Sequence, residues 1–314
     1  MGLYRDRPSG GMQSISSNSA ETPLSYMVEA AQGPVRLRYF APPEHLRAYF
    51  GSLYIFTESA SHYSDVTRAD VPQLRFMVQG SGNYHFHDGK TKPTPEVCLL
   101  GPTLGATRFE LDGPAHVIGV SLLPAGWVSL EGGDASALAD RLRDLSIEHE
   151  GALAALLSRL RTVDDAEVVA DHCWSALDQW VAPLPDTTWR LLEAVDGWLM
   201  GEGSPRIEAL VERTGLSPRQ LARLTNRYYG CPPKLLARKY RALRCSARIA
   251  LDGHSWQELC EDGRFYDQSH FIREIKHFIG LTPHQLQTEP TAVAQLTLLR
   301  RSLGGDVAVL NRFS

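Results

Sequence analysis

The sequence predicts a two-domain α+β protein, with a β-rich N-terminal domain, a helical linker, and an all-α C-terminal domain in which one helix pair occurs twice. Three observations carry this reading. From Ser25 to about Pro124, apolar residues come in short runs broken by Gly and Pro, the texture of strands and turns. From about Ala135 the apolar spacing changes to the helical period. Between Ile207 and Leu286 the chain repeats itself at an offset of 50 residues: Ser217 falls on Asp267, Leu221 on Phe271, Arg223 on Arg273, Gly230 on Gly280 and Pro233 on Pro283. These changes of texture divide the chain into a polar tail over 1–22, the β-rich domain over 23–135, the helical linker over 136–185, the repeat domain over 186–287 and a C-terminal extension over 288–314.

The tail is rich in Ser, Gly and Asn and is expected to be mobile. Its start, M-G-L-Y-R-D-R-P, has no apolar stretch of the kind a secretory signal needs. No apolar run approaches the ~18 residues that span a bilayer, so the expected location is the cytoplasm. The five cysteines (Cys98, Cys173, Cys231, Cys245, Cys260) are scattered without C-x-x-C pairing, which reads as reduced thiols rather than disulfides or a zinc knuckle.

In the β-rich domain V-R-L-R-Y-F at Val35, S-L-Y-I-F at Ser52, L-R-F-M-V at Leu74 and H-V-I-G-V-S-L at His116 read as strands, and H-D-G-K at His87 as a hairpin turn. Several such strands at short spacing predict a sandwich or barrel. Its aromatic residues, Tyr39, Tyr54, Phe56 and Tyr84 among them, supply a core and a few of them can line a pocket. His85 and His87 alternate along one strand and so face the same way, as in metal-binding H-x-H pairs. The neighbouring acids are Asp88, inside the turn, and Glu96, nine residues beyond His87. That spacing completes no ligand set, so the expectation is no metal, no cofactor and no catalysis.

The linker has Leu138, Leu142 and Leu145, then Leu153, Leu156, Leu157 and Leu160, then Val169, Cys173, Leu177 and Trp180 at helical spacing. These faces either pack on the domain's own sheet or form a dimer seam. Pro183-Leu-Pro185 reads as a hinge, and Asp186 opens a helix whose Trp189, Leu192, Val195 and Leu199 buttress the first helix pair of the repeat.

Each copy of the repeat has the grammar of a helix-turn-helix. In the first, Ile207, Leu210 and Val211 form one apolar face, Gly215 makes the turn, Ser217 caps the next helix with Pro218 and Gln220, and Gly230 ends it. In the second, Ser255 to Glu258 reads as a capping box, Asp267 caps the later helix, Phe271, Ile275 and Phe278 face inward, and Gly280 stops it. Between Thr214 and Leu251 there are nine Lys or Arg and no acid. Ser204 to Gln287 holds 14 basic and 8 acidic residues, a balance of +6, whereas the whole chain is −4, so the remainder carries −10. One basic domain on an otherwise acidic chain points to nucleic acid.

The stretch F-Y-D-Q-S-H-F-I-R-E-I-K-H-F-I-G-L-T-P resembles the C-terminal signature of AraC-type transcription regulators, and G-L-S-P-R-Q-L-A-R-L resembles their first helix-turn-helix. The resemblance covers roughly Asp186 to Gln287. Two positions depart from the pattern: Arg264 stands where the family places Gly before the aromatic of the second turn, and Thr225 where it places a large apolar residue. The resemblance implies a sequence-specific DNA-binding regulator, a cupin-like N-terminal domain that binds an unknown small-molecule effector, promoter DNA and RNA polymerase as partners, and a homodimer. On the two second helices, Arg219, Gln220 and Arg223, and Gln268, Ser269, His270 and Arg273, lie at the start opposite the buried face and are expected to meet base edges. Arg227, Lys276 and the linker cation Lys239 are expected to meet phosphates. The alternative is a cupin-like metal-dependent enzyme targeted to DNA, which metal loss on His85→Ala would favour.

Overall fold

A computed structural model describes residues 27–146, 151–201, 205–261 and 265–313. The tail over 1–22 and the departure at Gly263-Arg264 lie outside these residues.

The first half is an antiparallel sheet, in keeping with its short apolar runs broken by Gly and Pro. Its strands are β1 (Met27–Gln32), β2 (Val35–Phe40), β3 (Phe50–Glu58), β4 (His62–Thr67), β5 (Gln73–His85), β6 (Thr91–Pro93), β7 (Val97–Leu100), β8 (Thr107–Leu122) and β9 (Leu142–Asp144). The order is β1-β2-β3-β8-β5-β7-β9, with β4 on β8 and β6 on β5. β8 runs for 16 residues, so its first part pairs with β4 and its second with β3. Successive side chains point to opposite faces, and the register sorts them cleanly. Leu53, Ile55, Leu74, Phe76, Ile118 and Val120 enter one core. Leu37, Tyr39, Tyr54, Phe56, Val117 and Phe109 enter another.

Different parts of the chain cover the two faces. Short α1 (Pro124–Leu130) and then α2 (Ala152–Leu160) and α3 (Ala166–Trp180) lie over the first. Leu153, Leu156, Leu157, Leu160, Val169, Cys173 and Leu177 are buried there against the sheet. The apolar faces that read as a dimer seam are therefore spent on the domain's own core.

Six helices come next: α4 (Asp186–Met200), α5 (Ile207–Thr214), α6 (Pro218–Tyr229), α7 (Pro233–Ala250), α8 (Trp256–Glu261) and α9 (Gln268–Ile279). After them come α10 (Pro283–Thr288), α11 (Ala292–Leu296), a 3-10 stretch (Thr297–Asp306) and α12 (Val309–Phe313). Leu210, Leu221, Leu236, Leu243, Phe271, Ile275 and Phe278 share one core, joined by Leu192, Val195 and Leu199 of α4. The extension divides between the two halves: Ala294 and Leu310 join the helical core. Val293, Leu296, Leu303 and Val307 close the second face of the sheet, supplying the apolar cover that the strands alone leave open.

Candidate nucleic-acid interface

The first helix pair is built as its letters dictate. Gly215 takes a left-handed φ of 66°, which a side chain would strain, and so turns α5 into α6. Ser217 Oγ accepts from Gln220 N at 3.3 Å while Gln220 Oε1 accepts from Ser217 N at 3.0 Å, a capping box that satisfies two orphan donors. The buried side of α6 is Leu221, Thr225 and Tyr229. Thr225 is buried with its hydroxyl satisfied, donating to Ala222 O at 3.3 Å. Tyr229 donates to Asp196 Oδ1 of α4 at 2.6 Å, and burial pushes the Asp196 carboxyl up to about 7.

In the second pair Asp267 caps α9 through His270 N at 2.7 Å. Phe265 meets Phe271 edge to face at 4.7 Å, and Trp256 stacks on Phe271 at 6.4 Å. The N-terminal halves of both second helices stay open: Arg219, Gln220, Arg223, Gln268, Ser269 and Arg273 are exposed. Tyr266 is 92% exposed beside the start of α9, a large ring that no sequence signal marked as more than turn. His270 is half-buried against Phe265 and Glu274.

Between the pairs runs α7, 18 residues long and so about 27 Å. It is locked to α9 by an acid that sequence reading passed over. Glu274 is buried and accepts from Arg238 Nε at 3.0 Å, with Arg241 at 3.6 Å and His270 at 4.0 Å. Burial works to raise its carboxyl, but the Arg238 hydrogen bond and charge, with His270 and Arg241, hold it below the usual range. The available signal was that Glu274 is the one acid within α9.

Lys239 departs from expectation. It is not on an exposed basic face but 3% exposed, its ammonium donating to Asp70 O at 2.6 Å and Thr103 O at 2.9 Å of the β-domain. The reason is steric: α7 is buried on several sides, so the position that wheel spacing leaves polar faces the sheet domain. Burial lowers its pKa, offset by Cys231, Asp70 and Asp140.

The C-terminal ends of α6 and α9 both dock on the β-domain, at equivalent positions of the repeat. Arg227 donates to Gly132 O at 3.2 Å, and His277 Nε2 lies 3.0 Å from Leu104 O. A Cβ on Gly230 would come within 2.3 Å of Pro102, and one on Gly280 within 2.4 Å of Val66. Backbone bonds add to the second site, Ala69 N to Phe278 O and Ala106 N to His277 O, each 2.7 Å. Lys276 stays exposed.

His85 and His87 do not act together. His85 Nδ1 bonds Thr91 Oγ1 at 2.9 Å, whereas His87 lies past the strand end, 3.4 Å from Asp140 and edge-on to His277 at 5.2 Å. Among the described residues no group of three His, Cys, Asp or Glu is placed to hold a metal, and no helix is long and apolar enough to cross a membrane.

The sheet's second face carries a partly open cavity of about 80 Å³ under the extension. Tyr39, Tyr54, Phe56, Tyr84 and Phe109 form its walls, with Arg68, Asp70, Gln73 and Arg75, and the extension adds Val293, Thr297 and Arg300.

A family model described as a helix-turn-helix domain matches residues 210–289. The C-terminal domain is an AraC-type helix-turn-helix domain. Comparison with curated proteins finds no match. Among solved structures, an apo variant of ToxT from Vibrio cholerae has a TM-score of 0.42 at 13% identity, covering 73% of this chain and 97% of that one. ToxT from Vibrio cholerae with a bound unsaturated fatty acid has 0.41 at 13%, covering 76% and 95%. Oxalate decarboxylase of Bacillus subtilis has 0.25 at 11%, covering 31% and 27%. The AraC-type domain thus lies C-terminal to an antiparallel β-domain and spans both helix pairs, with α7 between them.

Proposed function

We propose that this chain is a sequence-specific transcription regulator whose AraC-type domain reads promoter DNA and whose β-domain senses a small molecule. The observation that carries the DNA reading is the pair of capped helices with open N-terminal halves, spaced by a rod of about 27 Å. That length is comparable to the ~34 Å between successive major-groove faces on one side of a duplex. Arg219, Gln220 and Arg223 on α6, and Gln268, Ser269 and Arg273 on α9, meet base edges, Arg reading guanine and Gln268 adenine, while Gln220, its oxygen held in the cap, offers only its amide N–H. Arg227 and Lys276 meet phosphates, and the exposed Tyr266 ring at the start of α9 adds a contact to the DNA. The cavity under the extension, joined to the DNA-binding half through the Asp70 and Thr103 carbonyls that hold Lys239, supports the sensing role.

Selection of bound fragments from random DNA yields the site. On that site Arg223→Ala costs ~1–3 kcal/mol and relaxes preference at one base pair, with much less effect on random DNA. Equal weakening on both, with unchanged base preference, overturns the placement of α6 in the groove.

A further inference from the structure

We propose that the cavity beneath the C-terminal extension binds a small carboxylic acid with an apolar body, its carboxylate seated on Arg75. The proposal names the ligand class of the sensing site and rests on that reading.

The charge of the cavity is unbalanced. Arg68, Arg75 and Arg300 line it, and the one acid among its lining residues is Asp70. Asp70 is already engaged, by Arg300 at 3.0 Å and by Gln73 Nε2 at 2.8 Å. Arg75 is 8% exposed, and among the described residues no carboxylate pairs with it. Its one protein hydrogen bond there runs from Nε to Gln73 Oε1 at 2.9 Å. The guanidinium otherwise faces the rings of Tyr84 at 5.0 Å and Tyr54 at 5.8 Å. A buried cation without a counter-ion is costly. Its planar fork, with two terminal nitrogens lacking acceptors among the described residues, matches a carboxylate bidentately. The electrostatics agree: burial and the neighbouring Arg300 push the Arg68 guanidinium down to about 9, as expected where positive charge exceeds negative.

The remaining walls are aromatic and aliphatic, which suits an apolar body. The space of about 80 Å³ is partly open, so a short acid can seat its carboxylate inside while its apolar body extends toward the mouth. Val293, Thr297 and Arg300 belong to the extension, so the ligand touches the segment that closes the sheet.

The test is calorimetric titration of the full chain with hexanoate and phenylacetate, against the uncharged hexanamide and phenylacetamide. The acids are expected to bind at least about ten-fold more tightly than the amides, a 1.4 kcal/mol difference. Arg75→Met is expected to erase that discrimination and Arg75→Lys to retain part of it. Amides binding as well as acids, acids binding Arg75→Met unchanged, or no acid binding at millimolar concentration would each overturn the proposal. The comparison on the unaltered chain decides the matter even where Arg75→Met fails to fold. No DNA is present, so failure here leaves the DNA reading untouched. Acid binding that leaves affinity for the selected DNA unchanged supports the site and overturns the sensing role instead.

Discussion

Lys239 has a four-carbon stem and a strongly hydrated head, and burying that head is tolerated only because two main-chain carbonyls receive it. Its partners belong to the sheet domain, so its energy is spent joining the halves of the protein. Lys239→Met keeps the stem and removes the charge, leaving the Thr103 carbonyl without its donor and the Asp70 carbonyl with only Thr103 N at 3.2 Å. We expect a loss of about 2 kcal/mol, seen as a lower melting temperature of the full chain. The slope of log K against log salt should not change, because the ammonium is not among the groups that release counter-ions. A slope shallower by about one unit would show that the lysine leaves the junction and meets phosphate when DNA binds.

At the scale of elements, α4 and α6 meet through a titrating contact. Tyr229 holds Asp196, whose carboxyl sits near 7 in the folded protein through burial, against about 3.9 for a free side chain. Between those values the folded state binds more protons than the unfolded one. The contribution is therefore fully present below about pH 4 and is lost as the pH rises through 7. Asp196 is half-buried, so solvent screening reduces the full linkage to about 2 kcal/mol. Denaturant melts of the wild type and Asp196→Asn at several pH values check this. The variant, which keeps an oxygen to accept from Tyr229, should be less pH-dependent and gain relative stability toward pH 8. Parallel pH profiles would rule out Asp196 as the titrating group.

Across the whole molecule, legibility in the sequence tracked the range of the interactions. The helix pairs were readable because Gly215, Ser217, Gly230, Asp267 and Gly280 act on neighbours within a few residues. The strand texture was readable because period-two alternation arises from the pleat. Lys239, Glu274 and the extension were not, since each is defined by a partner far along the chain that no local pattern encodes: Asp70, Arg238 and the sheet's second face. Those distant partners also decide how the halves can be separated. The break at Pro183-Pro185 remains the natural place to cut, but a fragment over 186–314 keeps Val293, Leu296, Leu303 and Val307 while losing the sheet that buries them. It also keeps Arg300 without Asp70. Exposed apolar surface of this kind drives association. A fragment over 186–289 retains both helix pairs and the Arg238–Glu274 clamp without that burden, giving up the cover of Ala294 and Leu310 on the helical core. We expect it to be monomeric and helical by sedimentation and circular dichroism, and to bind the selected DNA, whereas the longer fragment self-associates. A longer fragment that stays monomeric and melts at a higher temperature than the shorter one would mean that the extension can pack on the helical domain alone. Its place against the sheet would then be a choice between two partners.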